Sequence, residues 1–226
     1  PHPCPYLPDH VAAEQGFVID ELDADIHRAL LDRGFRRSGR LVYRPVCPAC
    51  RKCTQIRVPV NGFTPSRSQR RVQRRNADLT VTIDDAPRPT DEKWRLFSAY
   101  LASRHDRQMP SDFRTFVDFL YDSPTSTIEA VYRLGDRLAG VSILDVCEGG
   151  LSSVYMYYDP ELHRRSLGTF SVLWEIDHCR RRSIPYYYIG FYVPGARTMA
   201  YKAQFQPHQT LDPSQGWIPG RQLPPS

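Results

Sequence analysis

Residues 126–170 read STIEAVYRLGDRLAGVSILDVCEGGLSSVYMYYDPELHRRSLGTF. Three apolar runs rich in β-branched and aromatic residues lie near 126–133, 137–146 and 150–157. They are separated by Gly135-Asp136 and Gly149-Gly150, residue types that suit tight hairpin turns. Three consecutive strands are therefore expected. The chain then enters a helical run from Ser166 to about Arg182, and Tyr186 to Tyr192 reads as a further strand. Upstream, Pro87 and Pro89 mark a boundary between Ala86 and Thr90. Beyond it, Trp94, Phe97, Tyr100 and Leu101 share one face of a helix from about Thr90 to His105. Phe113, Phe116, Val117 and Leu120 share a face of a second helix starting at Ser111.

The order helix, helix, strand, strand, strand, helix, strand resembles the acyl-transfer fold of the GCN5-related N-acetyltransferases (GNAT). The marker of that fold is a phosphate-binding turn at a helix start, and Arg165-Ser166-Leu167-Gly168-Thr169-Phe170 is similar to it. Free N–H groups and the helix dipole attract an anion there, and Gly168 permits close approach. Phe170 stands where a small residue is expected for acetyl-CoA, so no CoA is expected. The fold class expected is α+β, with an N-terminal cysteine-containing α/β region (1–86) packed on a GNAT-like domain (87–226).

In the N-terminal region, Leu22, Ile26, Leu30 and Leu31 are spaced for a helix from Asp20, its N-cap, to Arg33, with Gly34 as terminator. Leu41–Arg44 and Thr54–Val60 read as strands. Between them, at a hairpin-like turn, lie Cys47, Cys50 and Cys53. With Cys4 they make four potential thiolate ligands, a set that suits zinc or an iron–sulfur cluster. Ser66 or Ser68 can cap a helix reaching Asn76. Arg67, Arg70, Arg71, Arg74 and Arg75 fall within an arc of about 140° on it. Five cations without a nearby acid suit a phosphate backbone and carry no base code. The tail from Pro207 is proline-rich and is expected to be irregular.

The chain has 226 residues, 41% of them hydrophobic and 12% aromatic, enough for a real core and too much for wholesale disorder. The net charge of +5 is modest, and its local concentration carries the meaning. No apolar run approaches the roughly 18 residues of a membrane span. Six cysteines, two of them (Cys147 and Cys179) in apolar surroundings, do not form a disulfide framework, so a reducing cytoplasmic location is expected. The chain opens on Pro1 rather than methionine, so residues are expected to precede it.

Seven stretches together, CPYLP (4–8), GFRRSG (34–39), YRPVCPACRKC (43–53), FTPSRSQRRVQRRNADL (63–79), SSVYMYYDP (152–160), RRSLGTF (164–170) and MAYKAQFQP (199–207), resemble the bacterial aspartate/glutamate leucyltransferases, relatives of the arginyl-tRNA–protein transferases. IGFY (189–192) stands where LGYW is expected. The resemblance implies leucyl-tRNA as donor and proteins with N-terminal Asp or Glu as acceptors, their products marked for degradation. Arginyl transfer is the alternative donor chemistry. A non-catalytic metal-containing RNA-binding module and a CoA-dependent acetyltransferase are the alternative classes.

Within that frame, Asp145 at the end of the apolar run 141–146 is the candidate to orient or deprotonate the acceptor amine, with His105 beside the reacting centre. Arg104 and Lys202 are the cations available for an acidic acceptor side chain. Tyr155, Tyr158 and Asp159 would line the pocket, and Arg165 and Gly168 would form the anion-binding turn.

Overall fold

The computed structural model describes residues 1–104, 112–196 and 198–220. At the N-terminus β1 (His2–Pro3) pairs with β2 (Val11–Ala12), and β3 (Glu14–Val18) leads to helix α1 (Ala24–Leu31). β4 (Arg36–Ser38) and β5 (Leu41–Pro45) then complete a small antiparallel sheet in the order β3-β5-β4. β6 (Thr54–Pro59), helix α2 (Arg67–Arg75) and β7 (Thr80–Asp84) follow. The rest comprises helices α3 (Asp91–Arg104) and α4 (Phe113–Leu120), strands β8 (Thr127–Leu134), β9 (Arg137–Cys147) and β10 (Gly150–Tyr158), helix α5 (Leu167–Arg181), strand β11 (Tyr186–Tyr192), and a hairpin of β12 (Gln209–Asp212) and β13 (Gly216–Pro219).

One eight-stranded sheet runs β13-β12-β6-β11-β10-β9-β8-β7. It is antiparallel except where β10 and β11, joined through α5, run parallel. Strands from both sides of residue 86 share it: β6 lies between β12 and β11, and β7 forms the far edge beside β8. β9 sits near the middle with both faces covered, and its buried run is accordingly apolar on both parities. Leu144 of β9 joins Ile56, Leu151, Leu167, Phe170 and Ile176 in the core under α5. Val141 and Ile143 of the same strand join Phe97, Leu101, Phe116 and Tyr157 under α3 and α4. On that second face the small sheet abuts α4, where Gly39 N–H donates to the Phe119 carbonyl at 3.1 Å. A side chain at Gly39 would strike the Asp118 carbonyl.

Three expectations are corrected. The strands flanking the cysteines are not partners across a hairpin. β5 pairs with β3 and β4, whereas β6 pairs with β11 and β12, because β6 is almost wholly buried and completes the large sheet. The tail is not irregular, since β12 and β13 extend that sheet around a turn at Gly216, whose φ is +75°. Asp20 caps no helix. It pairs with Arg40 at 2.7 Å, and α1 begins after Asp23.

The other helix starts agree with the sequence signals. Ser66 and Gln69 form a reciprocal capping box at the start of α2, and Asp112 caps α4. Among the described residues no helix is long and apolar enough to cross a membrane.

Candidate active site

β10 and β11 are paired only from Gly150/Tyr186 to Ser152/Tyr188. Both continue beyond that point, to Tyr158 and Tyr192, but no longer bond to each other. Each bulges where they part: β10 between Ser153 and Tyr155, β11 between Tyr188 and Gly190. A bulge bends its strand and breaks the ladder, so the sheet opens here. Unpaired backbone groups in the middle of a sheet need other partners. Arg36 supplies one set and Lys202 another.

Arg36 reaches from β4, its Nη1 donating to Ser152 Oγ at 2.8 Å and its Nη2 to the Ser153 carbonyl. Lys202 stands on a 3-10 turn, Ala200–Gln204, and its Nζ donates to the Phe191 carbonyl at 2.7 Å. Burial lowers the pKa of both groups, and the Arg36 charge adds to the depression of Lys202, which falls to about 7.

Helix α5 begins beside the far end of β10. Ser166 adopts a left-handed φ of 57°, no side chain caps the helix, and Thr169 N–H donates to the Ser166 carbonyl at 3.0 Å, which leaves the N–H groups of Leu167 and Gly168 at the helix start. The closest neighbour to a Cβ placed at Gly168 would be the Tyr158 ring at 3.9 Å. Tyr158 also meets the Tyr100 ring edge-on. Phe170 packs into the core against Tyr132.

Helix α2 joins these parts. Arg75 donates to the Arg164 carbonyl at 2.5 Å, Arg165 to the Arg75 carbonyl at 3.2 Å, and Asn76 to the Arg165 carbonyl at 2.9 Å. At its other end, buried Gln69 donates to the Gln204 carbonyl at 3.1 Å, on the turn that carries Lys202. Arg67, Arg70, Arg71, Arg74 and Arg75 are all exposed, and none forms an ion pair among the described residues. Arg165 differs from them. It grips Asp78 with two bonds of 2.7 and 2.9 Å, which fixes the entry of α5 against α2.

Asp145 occupies a closed position. Both carboxylate oxygens accept from Arg37 at 2.6 Å, and Thr127 donates at 2.8 Å. Burial pushes its pKa up, but Arg37, with smaller help from His27 and Thr127, more than offsets this and holds it below the usual carboxylate range. Its carboxylate therefore ties the small sheet to the large one. Asp159 accepts from Arg137 at 2.7 Å and caps the 3-10 turn Pro160–Arg165. Tyr155 packs against Phe97, Tyr100 and Phe119 on the α3/α4 face. Arg104 ends α3, and His105 lies outside the described residues.

The expected metal site is corrected. Among the described residues, no group of three or more His, Cys, Asp or Glu side chains comes together to hold a metal. Cys4, Cys47 and Cys53 line a cavity of about 330 Å³, and Cys47, Cys50 and Cys53 line a neighbouring one of about 470 Å³. Cys47 Sγ points to the Ala13 carbonyl at 3.8 Å. Burial, with the other cysteines adding to it, pushes the Cys53 thiol up to about 11. The C-x-x-C-x-x-C spacing thus belongs to a loop between strands of two different sheets.

The N-terminal arginine-tRNA-protein transferase model matches residues 2–71, and the C-terminal model of the same name matches residues 92–212. The chain belongs to the arginine-tRNA-protein transferase family. Among its relatives, an aspartate/glutamate leucyltransferase of Gluconobacter oxydans is 41% identical over 218 residues, covering 93% of this chain and 89% of the relative. One of Marinobacter nauticus is 40% identical over 216 residues, covering 93% and 90%. Among solved structures, the C-terminal domain of a protein provisionally described as a lysylphosphatidylglycerol synthetase, from Agrobacterium fabrum, aligns with a TM-score of 0.56 at 17% identity. That alignment covers 92% of this chain and 66% of that one, and it is a likeness of fold alone.

Among the residues singled out from sequence, hydrogen bonds of α2 link the turn bearing Lys202 to the Arg165 entry of α5, beside which Gly168 and Tyr158 lie close. Asp145 and Tyr155 are turned into packed interior, and the cysteines diverge. Arg36, Arg37 and Gly190 were missed. The available signal was a pair of arginines in GFRRSG, where a short strand with two adjacent buried cations needs partners elsewhere in the fold.

Proposed function

We propose that this chain moves leucine from leucyl-tRNA to the α-amine of proteins beginning with Asp or Glu, marking them for degradation in the cytoplasm. One observation carries this reading. The arginine helix is bonded both to the entry of α5 and to the turn bearing Lys202. On this reading a polyanion held by α2 reaches the opening between β10 and β11. Residues 1–86 supply the tRNA-contacting face, and residues 87–226 a GNAT-like transfer cleft. The uncapped start of α5 at Gly168 receives an anionic group of the donor, and Tyr158 lines the space beside it.

The chemistry asks mainly for positioning. The leucyl ester is already activated, and the acceptor amine has an ordinary pKa of about 7.7–8.0. Roughly a tenth is neutral at pH 7, so reaching the nucleophilic form costs about 1 kcal/mol. Holding amine and ester together contributes on the order of 7–11 kcal/mol. The neutral amine nitrogen attacks the ester carbonyl, the C–O bond to the tRNA 3′-terminal ribose breaks, and the proton lost from nitrogen passes, directly or through water, to the departing oxygen, which leaves as the hydroxyl. No covalent enzyme intermediate is needed. Asp145, engaged by Arg37, acts by holding the small sheet in place, and Lys202 offers a positive charge to the acceptor's acidic side chain.

The direct test offers radiolabelled leucyl-tRNA, arginyl-tRNA or acetyl-CoA together with a peptide starting in Asp. Label is expected in the peptide from leucyl-tRNA. Transfer from arginyl-tRNA or acetyl-CoA in its place refutes the assignment.

A further inference from the structure

Two buried cations face one point with no counter-ion. Arg36 and Lys202 are each only 8% exposed. Arg36 is bonded to Ser152 and Ser153 on β10, Lys202 to Phe191 on β11, so they hold opposite lips of the strand opening. Gly190 lies between them. A Cβ there would stand 3.4 Å from Arg36 Nη2 and 3.5 Å from Lys202 Nζ, and the backbone φ of +102° suits glycine. Neither cation forms an ion pair among the described residues. The Asp145 carboxylate attracts Arg36 through space, but it is taken by Arg37 and Thr127.

Burying one unpaired charge is costly, and two side by side repel as well. Each cation donates to a backbone carbonyl at the opening, Arg36 to Ser153 and Lys202 to Phe191, but a neutral donor would serve those carbonyls without burying a charge. Burial lowers the pKa of both groups, and the Arg36 charge adds to the depression of Lys202. The cavity of about 330 Å³ lined by Tyr6, Tyr43 and Phe191 adjoins this place. Both tyrosine hydroxyls feel the Arg36 charge, and the space admits a residue-sized group.

We propose that Arg36 and Lys202 form a carboxylate clamp that reads the acidic side chain of the acceptor's first residue, with Gly190 keeping open the space its oxygens enter. The clamp rests on the transfer reading above and gives it its specificity. Guanidinium and ammonium together supply several donors in fixed directions and two positive charges, a match for the two oxygens of a carboxylate. A single oxyanion developing on the ester would use only part of it. An amide in the same place would leave both buried charges unneutralised, which is how such a site rejects Asn and Gln.

The test measures leucyl transfer, at saturating leucyl-tRNA, to four peptides differing only in a first residue of Asp, Glu, Asn or Gln. Wild type is compared with Arg36→Met and Lys202→Met. Each substitution is expected to lower the Asp:Asn ratio of kcat/KM on the order of 10- to 100-fold, mainly through a higher KM for the Asp peptide. An unchanged ratio, or equal losses for Asp and Asn, overturns the clamp. Lys202→Met swaps a buried cation for an apolar chain of similar length and keeps the test available should Arg36→Met fail to fold. A wild type that transfers leucine to none of the four peptides refutes the transfer reading itself, and the clamp with it.

Discussion

Arg36 and Arg37 are consecutive residues of one three-residue strand, both under 10% exposed, yet they live in opposite electrostatic circumstances. Arg37 meets a carboxylate with two bonds of 2.6 Å, and its partner Asp145 takes a third from Thr127. Arg36 meets only a hydroxyl and a carbonyl, with a second cation across Gly190. The first arrangement is complete and closed, and it joins two sheets. The second has no ion pair among the described residues. Burial alone does not separate structure from function here, whereas charge balance does.

The largest effect expected from this contrast is on stability. Arg37→Met strands the Asp145 carboxylate in the interior and should destabilise by about 3–5 kcal/mol. Arg36→Met removes an uncompensated cation but also the donors to Ser152 Oγ and the Ser153 carbonyl, and the net loss should be smaller, about 1–2 kcal/mol. Urea unfolding of the two variants measures the difference. Equal losses would erase the distinction between paired and unpaired.

Glu175 sharpens the comparison from the opposite sign of charge. It is a buried acid with no ion pair among the described residues, held by the hydroxyls of Tyr132, at 3.0 Å, and Tyr187. Burial raises its pKa from 4.5 to about 7, against the smaller pull of those hydrogen bonds. Unfolding returns it to 4.5, so the folded state holds the proton more tightly. Its favourable contribution is complete below pH 4.5 and is lost as pH rises through about 7. The loss amounts to about 3 kcal/mol across that window. Glu175→Gln keeps the tyrosine bonds and removes the titration. The gap in stability between wild type and variant should therefore widen from pH 5 to pH 8, in the variant's favour. Parallel profiles across that range would show that Glu175 ionises normally.

Much of this fold could be read locally. The turn glycines 135, 149 and 150 place β8, β9 and β10 within a residue or two, and Ser66 with Gln69 announces α2, because these signals act over four or five residues. What escaped depends on contacts between distant positions. Arg36 bonds to Ser152, 116 residues away, and nothing in GFRRSG says which arginine finds an acid. The cysteine spacing looked like a ligand set, but whether thiols converge is decided by two sheets that no local pattern relates. The tail's prolines suggest an irregular segment, yet Pro207, Pro213 and Pro219 fall before, between and at the end of β12 and β13, where an edge hairpin tolerates them. Asp145 drew attention as a carboxylate in an apolar strand, a correct sign of burial whose partner, Arg37, lay outside the window.

On the surface the contrast between paired and unpaired cations recurs with smaller consequences. Arg165 is committed to Asp78, while Arg70, Arg71 and Arg74, one helix away, are exposed and without an ion pair among the described residues. Exposed charges cost little to leave unpaired, so stability does not reveal what they are for, and binding must. Replacing all three by alanine should weaken leucyl-tRNA binding on the order of 10- to 100-fold at low salt. It should also flatten the plot of log affinity against log salt by about 2 to 3, because each arginine removed leaves one phosphate unneutralised. The helix itself should persist, since its capping box and the Gln69 and Asn76 bonds use none of the three side chains, and alanine is a good helix former. Filter binding over a salt series reads the slope directly. A weaker affinity with an unchanged slope would mean that these arginines act through the fold rather than on phosphates, and the path from α2 to the strand opening would lose its anchor.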